Sequence, residues 1–247
     1  MQVTMSRAPS ARLPVPEATL SNAVAAIERH GVMLVYPVKG VARSPHSLWG
    51  EFYPRRTMRW AWDSSADPRV AELWHLRERV ARSKRVVYTK WLTGRATFFS
   101  KPMFKASLAH LLARRDVFGE LSRTSRELYE ILADDSPQAT GALRERAGLQ
   151  GRFNEADFAR AIKPLWSRLL IVGTGEVEER GFPSLGMGTT ELIHEPIWQA
   201  AQGGASSDDE ARLSEMRLRE PSFDRAITRL LASTPCRTTE APDLEAG

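Results

Sequence analysis

The chain has 247 residues, of which 42% are hydrophobic and 26% charged, and its formal net charge is +5 at pH 7. These values are typical of a globular protein that is long enough to form a real core. No apolar run approaches the roughly 18 residues that cross a bilayer, and no apolar block follows Arg7 and Arg12 as a secretory signal requires. The single cysteine, Cys236, excludes an internal disulfide and a CxxC metal site, so we expect a reducing, cytoplasmic compartment.

The charge is distributed unevenly along the chain. Residues 51–130 contain 17 Lys and Arg against 9 Asp and Glu, whereas residues 191–247 contain 6 against 11. A basic middle followed by an acidic end indicates an anionic partner for the middle of the chain. Arginine supplies 29 of the 35 basic residues, and a GC-rich genome would give the same excess without any partner.

The first half of the chain predicts two helices separated by a β-like run. Apolar residues at helical spacing predict a helix over 17–30 that ends at Gly31, followed by an extended run over 32–36. Residues 40–66 are expected to be an irregular stretch with short elements. Asp67 and Pro68 are a good N-cap and a good first residue for a second helix, whose expected apolar stripe is Val70, Leu73, Trp74, Leu76 and Val80.

A β-hairpin is predicted directly after this helix. The β-prone runs 86–91 and 96–99 flank a turn at 92–95 that contains Gly94. Because a helix precedes it, we interpret this hairpin as the wing of a winged helix. Two further helices are expected over 102–115 and 119–133.

Residues 120–185 predict a second unit of the same kind. A helix ends near Leu132, a short helix covers 138–147, and Asn154 caps a third helix with an expected buried stripe of Phe158, Ala161, Ile162, Leu165 and Trp166. A strand over 169–172, a turn at 173–175 and a return strand at 176–178 would complete a winged helix. Helices near 194–202, 208–219 and 222–233 are expected to follow.

These elements predict a mainly α fold with small β-hairpins (α+β), organised as tandem winged-helix or helix-turn-helix units. The predicted segments are a flexible N-terminus (1–16), a degenerate first winged-helix-like domain with a basic hairpin (17–117), a second winged-helix domain (118–190), C-terminal helices (191–233) and a disordered tail (234–247).

Two segments resemble a known family. The hairpin Val87-Tyr88-Thr89-Lys90-Trp91-Leu92-Thr93-Gly94-Arg95-Ala96-Thr97-Phe98 is similar to a signature of the tandem winged-helix DNA glycosylases of the AlkZ/YcaQ type. In that family a Trp and an Arg-Gly-Thr-like turn precede a short strand and a capped helix. The unit from Leu128 to Gly175 resembles the second helix-turn-helix of the same family, so that the likeness covers residues 66–185.

The resemblance implies a DNA-binding fold, a duplex DNA partner that is intact or damaged, and a link to the repair of alkylated or crosslinked bases. Excision of a base requires extrusion of the nucleotide and a polar group that positions water. In the family a Gln-x-Gln or Gln-x-Asp pair in the N-terminal part has that role. This chain contains no such pair, and Gln2 is its only glutamine before Gln138.

Candidate DNA contacts fall into two sets. Basic residues around the first hairpin are expected to contact phosphates, and they are Arg82, Lys84, Arg85, Lys90, Arg95, Lys101 and Lys105. Outward residues of the third helix of the second unit are expected to contact the major groove, and they are Arg152, Asn154, Arg160 and Lys163. Trp91 is a candidate for stacking on a base, with a place in the core as its alternative. The acidic residues Glu176, Glu178 and Glu179 in the second wing argue for a structural or protein-binding module instead.

Catalytic signals are weak in comparison. Asp63, next to Trp60 and Trp62, is the one candidate for a carboxylate that orients water, with a turn or helix cap as the alternative. The five histidines lack metal-ligand spacing, so no metal and no cofactor are expected. Three hypotheses follow: a non-catalytic, nucleoid-associated DNA-binding protein related to these glycosylases, a divergent glycosylase, and a winged-helix protein-interaction module.

Overall fold

The computed structural model describes residues 15–40, 44–59, 67–119, 121–179 and 182–232. Asp63 and the predicted tail at 234–247 lie outside the described residues. The helices are α1 (Leu20–His30), α2 (Leu48–Phe52), α3 (Pro68–Arg82), α4 (Lys101–Arg114), α5 (Arg123–Asp134), α6 (Thr140–Arg146), α7 (Glu155–Ser167), α8 (Thr190–Ile193), α9 (Glu195–Gln202), α10 (Ser207–Arg219) and α11 (Pro221–Ala232). The strands are β1 (Val32–Leu34), β2 (Val87–Thr89), β3 (Thr97–Phe99), β4 (Gln138–Ala139), β5 (Ile171–Glu179) and β6 (Phe182–Thr189). None of these helices is long and apolar enough to cross a membrane.

Local capping explains where the helices begin. The side chain of Asp67 accepts a hydrogen bond from the Arg69 amide, and Pro68 occupies the first position of α3. Ser100 caps α4 in the same way, and Ser206 forms a reciprocal capping box with Asp209 at α10. The expected helices are therefore present, with ends shifted by a few residues.

The six strands form one sheet, and the pattern of its strand order is symmetric about the centre. Its order is β1-β3-β2-β5-β6-β4. In each half a strand between the first two helices pairs with the second strand of a hairpin, and the first hairpin strands, β2 and β5, meet at the centre. The chain order helix–strand–helix–helix–hairpin occurs twice, as α1 to β3 and as α5 to β6. The structure thus contains an internal repeat joined through a shared sheet.

The join between the two halves depends on a glycine. Tyr88 on β2 pairs with Gly173 on β5, and a Cβ at Gly173 would lie 2.3 Å from the Tyr88 ring. A side chain at this position would therefore displace the tyrosine.

The prediction of a turn at 173–175 is wrong. Residues 171–179 form one strand with an irregularity between Gly173 and Gly175, and β6 is the return strand. These glycines permit close approach between packed elements, since Gly175 lies against Glu78 of α3 with a φ of +106°.

Two apolar clusters cover the two faces of the first three strands. Met33, Tyr88 and Phe98 face a cluster with α1, α2 and α3. Their neighbours Val32, Val87 and Phe99 face the larger cluster, which includes α4, α5, α7 and the C-terminal helices. Adjacent strand residues point to opposite faces, and because both faces are covered these strands are buried at every position.

The fold class is confirmed as mainly α with small antiparallel strands. The sheet crosses the predicted internal boundary near 117, and the larger cluster crosses those near 117 and 190. The segmentation stays a prediction about sequence units. In α3 the predicted stripe needs one correction, because Trp74 is 39% exposed whereas Arg77 is buried. Arg77 replaces the tryptophan because its guanidinium forms an ion pair with Glu176 on β5.

Candidate nucleic-acid interface

The third helix of the second unit, α7, has one buried and one exposed face. Its predicted stripe is confirmed, since Phe158, Ala161, Ile162, Leu165 and Trp166 are all buried. Arg160 and Lys163 are exposed on the other side, and Arg160 pairs with Asp157 across 3.0 Å. The exposed face of α7 is therefore polar and partly cationic.

Side-chain bonds to carbonyl groups hold the turn that precedes α7. Nε of Arg144 donates to the Leu149 carbonyl oxygen at 3.0 Å, and Nη2 donates to that of Gly151 at 3.0 Å. Asn154 donates to the carbonyl oxygen of Gln150 at 2.9 Å. Asn154 lies at the N-cap position, but its side chain makes no capping bond to α7. The amide that was expected to reach a base is half-buried and occupied by the turn, whereas Arg152 is exposed.

The first hairpin separates its basic residues into two groups. Because Val87 pairs with Phe99 and Thr89 with Thr97, Lys84, Arg85 and Lys101 lie beyond one end of the strands. Lys90 and Arg95 lie beyond the other end, about 10 Å along three residues of strand. The basic residues around the first hairpin therefore form two separate groups.

The turn end of this hairpin adjoins α7. Nε1 of Trp91 donates to the carbonyl oxygen of Ser167, the last residue of α7, at 2.8 Å. Lys90 and Arg95 flank this turn and are exposed. Although Lys90 is exposed as a residue, burial around its ammonium group, with a smaller contribution from the charge of Arg77 on α3, lowers the pKa of Lys90. Two cations of the hairpin thus lie on an element that touches the C-terminal end of α7.

Trp91 itself is not available to a base. Its side chain is 5% exposed and packs against Phe99 and Phe223, with ring centroids 5.4 and 5.2 Å away. Trp91 is therefore a core residue, which was the alternative prediction, and its ring is not accessible for stacking on a base.

At the opposite end of the hairpin, Lys84 and Lys101 lie near His194. Burial of the imidazole, reinforced by the charges of Lys101 and Lys84, lowers the pKa of His194 to about 4. Both lysines are exposed. This group is separate from the cations that adjoin α7.

Two members of the basic set are engaged within the protein. Lys105 forms an ion pair with Asp209 at the start of α10. Arg82 forms an ion pair with Glu78 and also donates to the backbone carbonyl oxygen of Glu176. Each would have to break an internal contact in order to bind a phosphate.

The acidic hairpin β5–β6 is tied to its surroundings. Glu176 pairs with the buried Arg77, and its backbone N–H donates to Glu78 at 2.6 Å. Glu179 accepts a hydrogen bond from the Gly141 amide at 3.0 Å. Glu178 is exposed. Two of the three carboxylates that were expected to repel phosphates are thus used to attach this hairpin to α3 and α6.

No group of three or more His, Cys, Asp and Glu with metal-binding geometry occurs in the part of the chain that the structure describes.

A surface cleft of about 300 Å³ lies between α6 and the tip of the second hairpin. It is lined by Gly141, Arg144, Glu145, Gln150, Gly151 and Glu179. Two carboxylates make it unsuitable for a phosphate.

Sequence reasoning missed two residues of this surface. Phe153 precedes α7 and is 99% exposed, and Arg144 holds the turn beside it. The signal for Phe153 was an aromatic residue outside the helical stripe, in the short segment between Gly151 and Asn154. Arg144 gave no sequence signal, because its acceptors are backbone carbonyl groups.

The fold and this surface define a mainly helical α+β protein with a duplicated helix–hairpin unit and cations along α7. The chain belongs to the AlkZ-related family, whose model, described as AlkZ related, matches residues 18–220. This match confirms the family resemblance that the hairpin at Val87–Phe98 indicated. No curated protein and no solved structure matches the chain.

Proposed function

We propose that the protein binds duplex DNA without excising bases, through α7 and the adjoining turn of the first hairpin. The observation on which this rests is the contact between these two cationic elements. Arg152, Arg160 and Lys163 are exposed at α7, and the bond from Trp91 to Ser167 holds the turn that Lys90 and Arg95 flank against the end of this helix. Family membership supports the same function, because it relates the chain to DNA repair glycosylases.

In this proposal the second unit is a winged helix and α7 is its recognition helix. A helix of 13 residues is about 20 Å long, and the major groove admits one α-helix. In the first unit, the corresponding helix α3 uses Arg77 and Arg82 to hold β5. The cations of α7 are exposed and, among the described residues, do not hold another element, which makes α7 the better candidate of the two.

The phosphate contacts in this arrangement come from the first hairpin rather than the second. Glu178 leaves an exposed negative charge on β5, which opposes contact between that hairpin and a phosphate. Lys90 and Arg95 provide positive charge at the end of α7. Arg85, Lys84 and Lys101 lie at the far end of the strands and are not part of the proposed contact.

A salt titration of a fluorescein-labelled 20-base-pair duplex tests the proposal by anisotropy. The logarithm of the binding constant should fall linearly with the logarithm of salt concentration, by about 0.9 for each neutralised phosphate. Arg152→Gln and Lys163→Gln should each reduce the slope by about one unit. Arg212→Gln, an exposed position on the acidic α10, is the matched control. A wild-type protein that fails to bind at low salt would exclude the proposal and favour the protein-interaction module.

A divergent DNA glycosylase is the second candidate, and membership of the AlkZ-related family is the observation that favours it. The chain lacks the glutamine pair that the family resemblance implies, and its candidate carboxylate, Asp63, lies outside the described residues. Release of free base from alkylated or crosslinked DNA separates this candidate from the first.

A further inference from the structure

Phe153 is the most exposed large apolar side chain in the described ranges. It is 99% exposed, compared with 87% for Leu218 and 53% for Leu192. Single apolar residues on a surface are common. Exposure of nearly the whole area of a phenyl ring to water is nevertheless unfavourable, and a polar residue could occupy the same position. The ring stands in a short 3-10 turn that leads directly into α7.

The backbone on both sides of this ring is held in place. Arg144 donates to the carbonyl groups of Leu149 and Gly151, and its guanidinium lies 5.4 Å from the centre of the buried Phe158 ring. Asn154 donates to Gln150. Gly151 has a φ of +80°, which favours glycine and turns the chain outward. A side chain on a fixed backbone loses less entropy when it binds a ligand.

The charges around the ring favour an anionic polymer over an apolar peptide. Arg152 is adjacent and exposed, and Lys163 is exposed further along α7. Among the carboxylates of this region, Asp157 is paired with Arg160 and Glu155 is exposed, while Glu145 and Glu179 line the cleft on the other side of Gly151. Proteins that bind unstacked nucleic acid combine cations for the backbone with aromatic rings for the bases, and apolar side chains can also be inserted between base steps.

We infer that Phe153 stacks on a nucleobase of DNA bound at α7 and gives the protein a preference for distorted duplexes. The inference rests on the proposed DNA binding. An unpaired base has no base-pairing partner to leave and therefore costs less to extrude than a paired base, so a duplex with a bulge should present a ring face more readily than an intact duplex. Phe153 thereby adds selectivity for DNA structure to the charge-based contacts of Arg152 and Lys163.

The test uses two duplexes of equal length, one intact and one with a single bulged 2-aminopurine. The wild-type protein should bind the bulged duplex more tightly and change its 2-aminopurine fluorescence. Phe153→Ala should bind the bulged duplex roughly 5- to 150-fold more weakly, as expected for one lost base–aromatic stack, and should lose the fluorescence change. Phe153→Trp should restore both. Leu218→Ala, at an almost equally exposed position on α10, should behave as wild type.

The salt dependence separates this inference from the proposed function. Phe153→Ala should keep the wild-type slope, because the ring carries no charge. A Phe153→Ala protein with unchanged affinity and fluorescence on the bulged duplex would overturn the inference and leave DNA binding in place. Absence of wild-type binding to either duplex at low salt would overturn both this inference and the proposed function. An apolar protein partner would then be the ligand of the Phe153 ring.

Discussion

The indole nitrogen of Trp91 donates a 2.8 Å hydrogen bond to the carbonyl oxygen of Ser167, 76 residues further along the chain. This bond joins the turn of the first hairpin to the last residue of α7, and it therefore links the two halves of the internal repeat. Together with the pairing of β2 and β5, it holds the turn of the hairpin against α7.

Replacement of Trp91 by Phe should remove this bond and leave the Ser167 carbonyl without its indole donor. The loss of a buried hydrogen bond costs about 1 kcal/mol or more, in addition to the smaller ring. Trp198→Phe is a matched control, because Trp198 is 4% exposed and its indole nitrogen has no hydrogen-bond partner among the described residues. Urea unfolding should show that Trp91→Phe is more destabilising by about 1 kcal/mol. Equal losses for the two variants would contradict a stabilising role for the bond.

Gly173→Ala should destabilise the sheet at its centre. The new Cβ would meet the Tyr88 ring at 2.3 Å, and overpacking of this kind typically costs about 1–3 kcal/mol. Gly203→Ala is the control, since its nearest neighbour would be a carbonyl oxygen at 3.5 Å. In a double-mutant cycle, Tyr88→Leu should relieve part of the cost of Gly173→Ala. Additive losses in the free energy of unfolding would show that the two residues do not press on each other.

The sequence predicted the helices well because their signals are local. Asp67 and Pro68 start α3, and Phe158 to Trp166 follow helical spacing on α7. The glycines at 173–175 predicted a turn, since glycine is the commonest turn residue. Their actual role is close approach to Tyr88 and to Glu78. Such contacts join residues about 85 to 100 positions apart, which no local pattern reveals.

The candidate site was predicted only in part for a similar reason. The exposure of Arg152, Arg160 and Lys163 follows from the helical stripe of α7. Whether a cation is free depends on distant partners, as with Lys105 and Asp209 or Arg82 and Glu176. The division of the basic residues between two ends of the hairpin follows from its register, and the turn position alone would have allowed that inference.

The two ends of the first hairpin should contribute unequally to DNA binding. The double variant Lys90→Gln and Arg95→Gln should reduce the slope of the salt titration by about two units, because these residues flank the turn that contacts α7. The double variant Lys84→Gln and Lys101→Gln removes the same charge and is therefore matched for long-range electrostatics. It should leave the slope close to wild type. A larger change for the second pair would place the DNA at the opposite end of the sheet.

Asp63→Asn tests the glycosylase candidate directly. If the protein excises bases with this carboxylate, incubation with alkylated or crosslinked DNA should release free base, and the variant should lose this activity while it keeps its affinity for DNA. Chromatography of the released bases is the measurement, with Asp208→Asn on the exposed start of α10 as the control. Our proposal expects no release from the wild type. Base release by the wild type that the Asp63→Asn variant loses would contradict the proposed function and show that the protein is a glycosylase.

The buried His194 should make folding sensitive to acid. Its pKa is lowered to about 4 by burial and by the charges of Lys101 and Lys84, whereas a histidine in the unfolded chain titrates near 6.5. Between these two values the unfolded state binds the extra proton. The free energy of unfolding should therefore be insensitive to this residue above about pH 6.5. As the pH decreases towards 4, it should fall by up to about 1.4 kcal/mol per pH unit.

His194→Gln should flatten this part of the stability profile, measured by urea unfolding at pH values from 4 to 8. Some pH dependence should remain, because burial also lowers the pKa values of His30 and His110. Lys101→Gln should raise the pKa of His194, since it removes a repelling charge, and should shift the onset of full protonation in the folded state to higher pH. The pH interval over which the free energy of unfolding decreases is therefore narrower in the Lys101→Gln variant. A His194→Gln profile as steep as that of the wild type would show that the imidazole is protonated equally in the folded and unfolded states.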